Sequence, residues 1–278
     1  MLPSPLSHFS PRRKELFSKR WPKAVALAAA VVVAIAITGA CSGVKSGAGT
    51  PPRVMLIGDS VGTDLANPLA VEFGARGHAF KNGTQPGCSA LRGLILFWDD
   101  TMIPWAPHCD GVIWLSHQEN LDSFRPDVVL LHGISETFYR NVDGVIYHPM
   151  DTPEGDAMIW RLLEEKWGQV RGFGAQLYFV LNPPPNTSAG QAGCGGAGSA
   201  NPCALDVRTA HLNSMYRAFA ESHPGVGIVD LAAWHCPGGI PCPSIVDGVD
   251  VRPDGVHWGS YGAAWAARLI VNSVLVQY

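Results

Sequence analysis

Residues 127–132 read DVVLLH, an apolar run closed by an aspartate and a histidine. Such a strand has no polar face to offer water, so it belongs in a sheet covered on both sides. The same form recurs at Arg53–Ile57, ending at Gly58, at Gln176–Leu181, ended by Pro183-Pro184-Pro185, and at Val226–Leu231, and a shorter strand is expected near Ala79–Asn82. Between these runs lie segments with apolar residues at helical spacing. Residues 64–76 carry Leu65, Leu69 and Phe73, with Pro68 in the first turn or so. Residues 154–171 carry Ile159, Leu162, Leu163 and Trp167, residues 206–222 carry Leu212, Met215 and Phe219, and a last helix is expected over 261–276. Residues 83–111, with Pro86, Pro104 and Pro107, read as loop. Strands alternating with helices imply right-handed crossovers and a parallel sheet, here in one α/β domain over residues 53–278.

The charge is divided along the chain. Residues 1–41 hold Arg12, Arg13, Lys14, Lys19, Arg20 and Lys23 against Glu15 alone, which leaves 14 basic and 22 acidic side chains for the remaining 237 residues. From Ala24 to Val44 no residue is charged, and Thr38, Gly39 and Ala40 are small. Basic residues, then an apolar stretch, then small residues is the layout of an export signal, with the N-terminal end in the cytoplasm. A spanning helix needs about 20 apolar residues, so the stretch is at the short end for a permanent anchor. Cys41 follows the small residues as a lipid-attachment cysteine does, although Thr38 stands where leucine is usual. Lipidation, cleavage and a retained helix all remain open. Residues 42–52, mostly Gly, Ser, Thr and Pro, form a linker. Charged residues make up only 15% of the whole and show no basic excess, which excludes a disordered chain and argues against a nucleic-acid partner.

Six cysteines remain beyond Cys41, an even number that suits disulfides in an exported domain. Pairing Cys88 with Cys109, Cys194 with Cys203 and Cys236 with Cys242 brackets a Gly/Pro-rich loop in each case. No C-x-x-C knuckle is present, so the set does not suit zinc, and no metal or cofactor is expected.

In an open parallel sheet, ligands bind at the carboxyl ends of the strands. Three polar clusters fall there: Gly58-Asp59-Ser60, His132-Gly133-Ile134-Ser135-Glu136, and Asp254-Gly255-Val256-His257 before the last helix. A serine at a strand-to-helix turn lies beside backbone N–H groups that can stabilise an oxyanion. A histidine can take its proton, and an aspartate can hold the imidazole in the needed tautomer. Alone, G-D-S is often a turn and D-x-x-H is common by chance; their positions at the two ends of one α/β domain carry the weight.

On Gly58-Asp59-Ser60 and Asp254-x-x-His257, residues 53–278 resemble the SGNH, or GDSL-like, hydrolase family. That resemblance implies a three-layer α/β/α sandwich around a parallel sheet of about five strands. It also implies Ser60 as nucleophile, His257 as base and Asp254 as its partner, with an oxyanion hole from Ser60, Gly83 (or Gly87) and the third block. The third block departs: Gly133-Ile134-Ser135-Glu136 stands where the family has G-x-N-D, so Ser135 replaces the asparagine donor. Asp59 is read as a turn and helix-capping residue. The resemblance implies an exported esterase acting on an acyl ester of a cell-envelope carbohydrate or a lipid. An O-acyltransferase with the same triad, or a non-catalytic envelope-binding domain, are the alternatives. Trp98, Trp105 and Trp258 lie near the relevant loops as a candidate sugar platform, with core packing the blander role.

Overall fold

The computed structural model describes residues 51–97, 100–104, 106–150, 152–186 and 205–278. The leader, Cys41, Trp98, Trp105, Cys194 and Cys203 lie outside the described residues. The chain runs β1 (Val54–Gly58), α1 (Ser60–Ala75), β2 (Phe80–Asn82), β3 (Leu94–Leu96), α2 (Val112–Phe124), β4 (Val128–His132), β5 (Tyr139–Val142) and β6 (Val145–Tyr147). It continues through α3 (Pro153–Gly172), β7 (Gln176–Val180), α4 (Leu205–Ser222), β8 (Gly227–Val229), α5 (Leu231–His235), β9 (Ile245–Val246), β10 (Val249–Asp250) and α6 (Ser260–Gln277).

Strands β2, β1, β4, β7 and β8 pair in that order, all parallel, into the central sheet. Because side chains alternate across a strand, each apolar run feeds two cores. Val54 and Leu56 of β1, Val128 and Leu130 of β4, and Tyr178 and Val180 of β7 meet Leu65, Leu69 and Phe73 of α1 and Ala266, Ile270 and Val274 of α6. Met55 and Ile57, Val129 and Leu131, and Leu177 and Phe179 meet Ile159, Leu162 and Leu163 of α3 and Leu212, Tyr216 and Phe219 of α4 on the other face. Helix, sheet and helix layers result, as the apolar runs require. The strand order reverses direction at β1 and β4, and the crevice between their carboxyl ends is where such sheets bind ligands. That is where Gly58-Asp59-Ser60 emerges.

Several elements differ from the sequence reading. Helix α1 starts at Ser60, four residues before the expected start, because Asp59 caps it by accepting from Val61 N–H. Pro68 therefore sits inside the helix, about two turns from its start, where its missing N–H leaves one carbonyl without its usual partner. Helix α2 was not expected; it buries only Ile113, His117 and Leu121, and a histidine in that stripe hides its periodicity. Strands β3, β5 and β6 form a small antiparallel sheet. The first lies inside the stretch read as loop, and the β5–β6 turn is Asp143-Gly144 with both residues at positive φ. That dipeptide is a strong hairpin signal.

Candidate active site

Ser60 is the first residue of α1, directly after the carboxyl end of β1. The turn that puts it there depends on close backbone approach. Gly58 has φ +151°, and a Cβ on it would lie 1.8 Å from the His132 carbonyl oxygen. Only glycine lets β1 turn into α1 this near to β4. From the far end of the chain, the loop before α6 brings His257 to the serine: Ser60 Oγ and His257 Nε2 are 2.8 Å apart. Asp254 Oδ2 lies 2.7 Å from His257 Nδ1, and its Oδ1 accepts from the N–H groups of Val256 and His257 at 2.8 and 2.7 Å. With Nδ1 donating to Asp254, the Nε2 lone pair faces the serine hydroxyl. Burial alone would raise the Asp254 carboxyl, but the His257 ring and the two N–H donors outweigh it and hold it below its ordinary value. Proton transfer from a serine hydroxyl to a charge-balanced imidazole is chemistry this arrangement can perform.

A third carboxylate stands beside these. Asp64, one turn along α1 from Ser60, accepts the Trp258 N–H on Oδ2 at 3.0 Å. Burial raises its pKa, against the lowering effects of that N–H and of His257. The sequence reading passed over it. With the helix placed to start at residue 64, Asp64 and Ser60 do not share an element; with the start at Ser60, Asp64 falls at i+4, on the serine's own face.

The expected oxyanion donors are engaged elsewhere, which changes two assignments. Gly83 N–H donates to Leu56 O at 2.8 Å, continuing the β2–β1 ladder past the strand end, and Gln85 N–H donates to Gly58 O at 2.9 Å. Ser135 Oγ–H donates to Asp59 Oδ2 at 2.7 Å. Both groups brace the frame around Ser60 instead of facing an incoming acyl group. Of the residues considered, Ser60 keeps its own N–H in the helix's first turn, where no intrahelical acceptor exists. Gly87 follows at φ +74° in the turn that Gln85 anchors.

Asp59 does more than cap a helix. Besides Val61 N–H on Oδ1, its Oδ2 accepts Ile134 N–H and Ser135 N–H, each at 2.7 Å, so it locks the first block to the third. Behind it, buried Glu136 accepts from Ser89 Oγ–H and Ala90 N–H, and Arg140 reaches Ser89 Oγ and the carbonyls of Leu91 and Ser135. Burial and the nearby Asp59 raise Glu136, with Arg140 opposing. The Cys88–Cys109 bond closes across this loop, and Cys236–Cys242 closes the loop after α5. Trp258 is 5% exposed and packs against His235 and Trp265, so it serves the core and not a sugar.

A family model described as "SGNH domain (fused to AT3 domains)" matches residues 29–272. No curated protein sequence matches the chain. Among solved structures, an acetyl xylan esterase is similar with a TM-score of 0.50 at 12% identity, over 80% of this chain and 99% of that one, a likeness of fold. The periplasmic domain of a lipopolysaccharide acetyltransferase from Salmonella ser. Paratyphi A aligns with a TM-score of 0.49 at 14% identity, over 82% of this chain and 85% of that one. A putative SGNH hydrolase from Slackia heliotrinireducens aligns at 0.46 and 19% identity, over 81% and 99%.

Proposed function

From the membership of this chain in the SGNH-domain family, which makes it a serine hydrolase or acyltransferase, we propose that it is an exported esterase with Ser60 as nucleophile. His257 is the base and Asp254 its orienting partner. The observation that carries this reading is the continuous hydrogen-bonded line from Ser60 Oγ through the imidazole to Asp254 Oδ2, at 2.8 and 2.7 Å.

As Oγ attacks the acyl carbonyl carbon, His257 Nε2 takes the hydroxyl proton. The ester C–O bond then breaks, and the imidazolium returns that proton to the departing alcohol. Water attacks the acyl-Ser60, gives its proton to Nε2, and the acid leaves as Ser60 regains its hydrogen. Asp254, held ionised by its three donors, balances the transient imidazolium. The N-terminal N–H of Ser60 serves the oxyanion; Gly83 and Ser135 act as frame.

The His257 and Asp254 side chains are 43% and 57% exposed among the described residues, so water has a path to the acyl-enzyme. The substrate class, an O-acyl ester of a cell-envelope carbohydrate or a lipid, follows from the family resemblance. Export is supported by the signal-like leader and by the disulfides among the described residues, Cys88–Cys109 and Cys236–Cys242, which persist in oxidising compartments.

The test is hydrolysis of p-nitrophenyl acetate by the full chain beside Ser60→Ala, together with labelling by a fluorophosphonate. Turnover and labelling that both vanish in the variant support the reading. Equal turnover in the two proteins refutes it.

A further inference from the structure

Asp254 lies three residues before His257 on one loop, so its bonds fix the ring relative to that loop only. They do nothing to bring the loop to Ser60, which is 197 residues away in sequence. Three consecutive N–H groups follow Gly255. Those of Val256 and His257 turn inward to Asp254, whereas that of Trp258 reaches across to Asp64 on α1. This last bond ties the peptide after the base to the helix that carries the nucleophile. Ser60 and Asp64 share a helix face one turn apart, so a rigid element spans both contacts.

We infer that Asp64 is a positioning residue that sets the approach of His257 to Ser60. The inference rests on the reading of these two residues as base and nucleophile. Asp64 does not touch the reacting atoms; it holds the peptide behind the imidazole at a fixed height on α1. Its negative charge also faces His257, with Asp254 on the same loop and Asp59 at the head of the helix. Arg252 is an opposing cation that feels the Asp254 charge.

The experiment compares Asp64→Ala, Asp64→Leu and Asp64→Asn in the full chain, reading kcat and KM for p-nitrophenyl acetate across pH. Alanine and leucine both delete the acceptor; leucine also keeps the volume and suits a helix, so it serves should alanine fail to fold. Displacing a base by less than an ångström costs about 10- to 100-fold, and that loss is expected in kcat with KM changed by less than about threefold. Asparagine retains an acceptor oxygen, so Asp64→Asn recovers most of kcat. A purely structural role would not give a kcat loss at nearly unchanged KM that asparagine rescues. Parent-like kcat in the alanine and leucine variants, or an asparagine variant as impaired as they are, overturns the inference. Activity surviving in Ser60→Ala overturns the nucleophile reading and this inference with it. Full loss there beside unaffected Asp64 variants overturns this inference alone.

Discussion

Ser135 Oγ lies 2.7 Å from Asp59 Oδ2, and both residues are almost fully buried. The hydroxyl that stands in place of an asparagine amide therefore points back into the frame. Ser135→Ala should cost stability of about 1 kcal/mol, one hydrogen bond to a carboxylate that keeps three N–H donors. Activity should stay within a few-fold of the parent, whereas deleting a true oxyanion donor costs about 10²–10³ in kcat. Chemical denaturation beside ester turnover separates the two, and a kcat loss of the larger size would return Ser135 to the oxyanion hole.

Gly133 is the weak point of the same frame. A Cβ there would lie 2.8 Å from Asp59 Oδ2 and 2.9 Å from its Cγ, so Gly133→Ala must push the carboxylate away from its donors. Overpacking of this kind costs about 1–3 kcal/mol. Because Asp59 caps the helix that starts at Ser60, kcat should fall along with the melting temperature. A variant with parent-like melting and turnover would show that Asp59 can move without consequence.

The Cys88–Cys109 bond closes a loop of 21 residues in sequence separation, and that loop carries Ser89 and Ala90, the partners of Glu136. Chain-entropy arguments give about 3 kcal/mol for a loop of this length. Cys88→Ser with Cys109→Ser should lower the free energy of unfolding by that amount, measured by urea unfolding under non-reducing conditions. The Cys236–Cys242 bond closes a much shorter loop, so the same change there should have a smaller effect.

How much of this could be read beforehand follows from where polar groups sit. β1, β4 and β7 are buried on both faces, so each announces itself as an apolar run. The Ser60, His257 and Asp254 cluster was legible because each member lies where an α/β sheet presents its strand ends. The bonds that engage Gly83 and Ser135 were not legible. Whether Gly83 N–H is available depends on one more rung of a parallel ladder, Gly83 to Leu56, and no local pattern records that rung. Ser135 was read as a substitute because its pairing with Asp59 spans 76 residues. Asp64 was missed for a smaller reason: a helix start placed four residues late separated it from the face it shares with Ser60.

Helix α2 was invisible for a reason that yields a further prediction. Its buried stripe includes His117, which packs against Lys166, a fully buried lysine of α3. Lys166 Nζ lies 3.2 Å from His117 Nδ1, 2.7 Å from Gln169 Oε1 and 4.1 Å from the Trp114 ring centroid, and His117 Nε2 reaches Gly83 O at 3.1 Å. Burial lowers Lys166 to about 7 and, with the lysine's charge, lowers His117 to about 3. The imidazole is therefore neutral at ordinary pH, donating from Nε2 and accepting at Nδ1. An unfolded lysine keeps its proton up to about 10.4. Between about 7 and that value the unfolded state binds more protons than the folded one, so stability rises with pH in this window, by up to about 1.4 kcal/mol per unit. Below about 7 the lysine is charged in both states and the slope from this group disappears. Lys166→Met should flatten the alkaline slope and leave the acid side, which His117 governs as pH falls from about 6.5 towards 3, still descending. Urea unfolding at half-unit intervals from about pH 3 to 10 measures both limbs, and an unchanged alkaline slope in Lys166→Met would mean that another group carries the alkaline dependence.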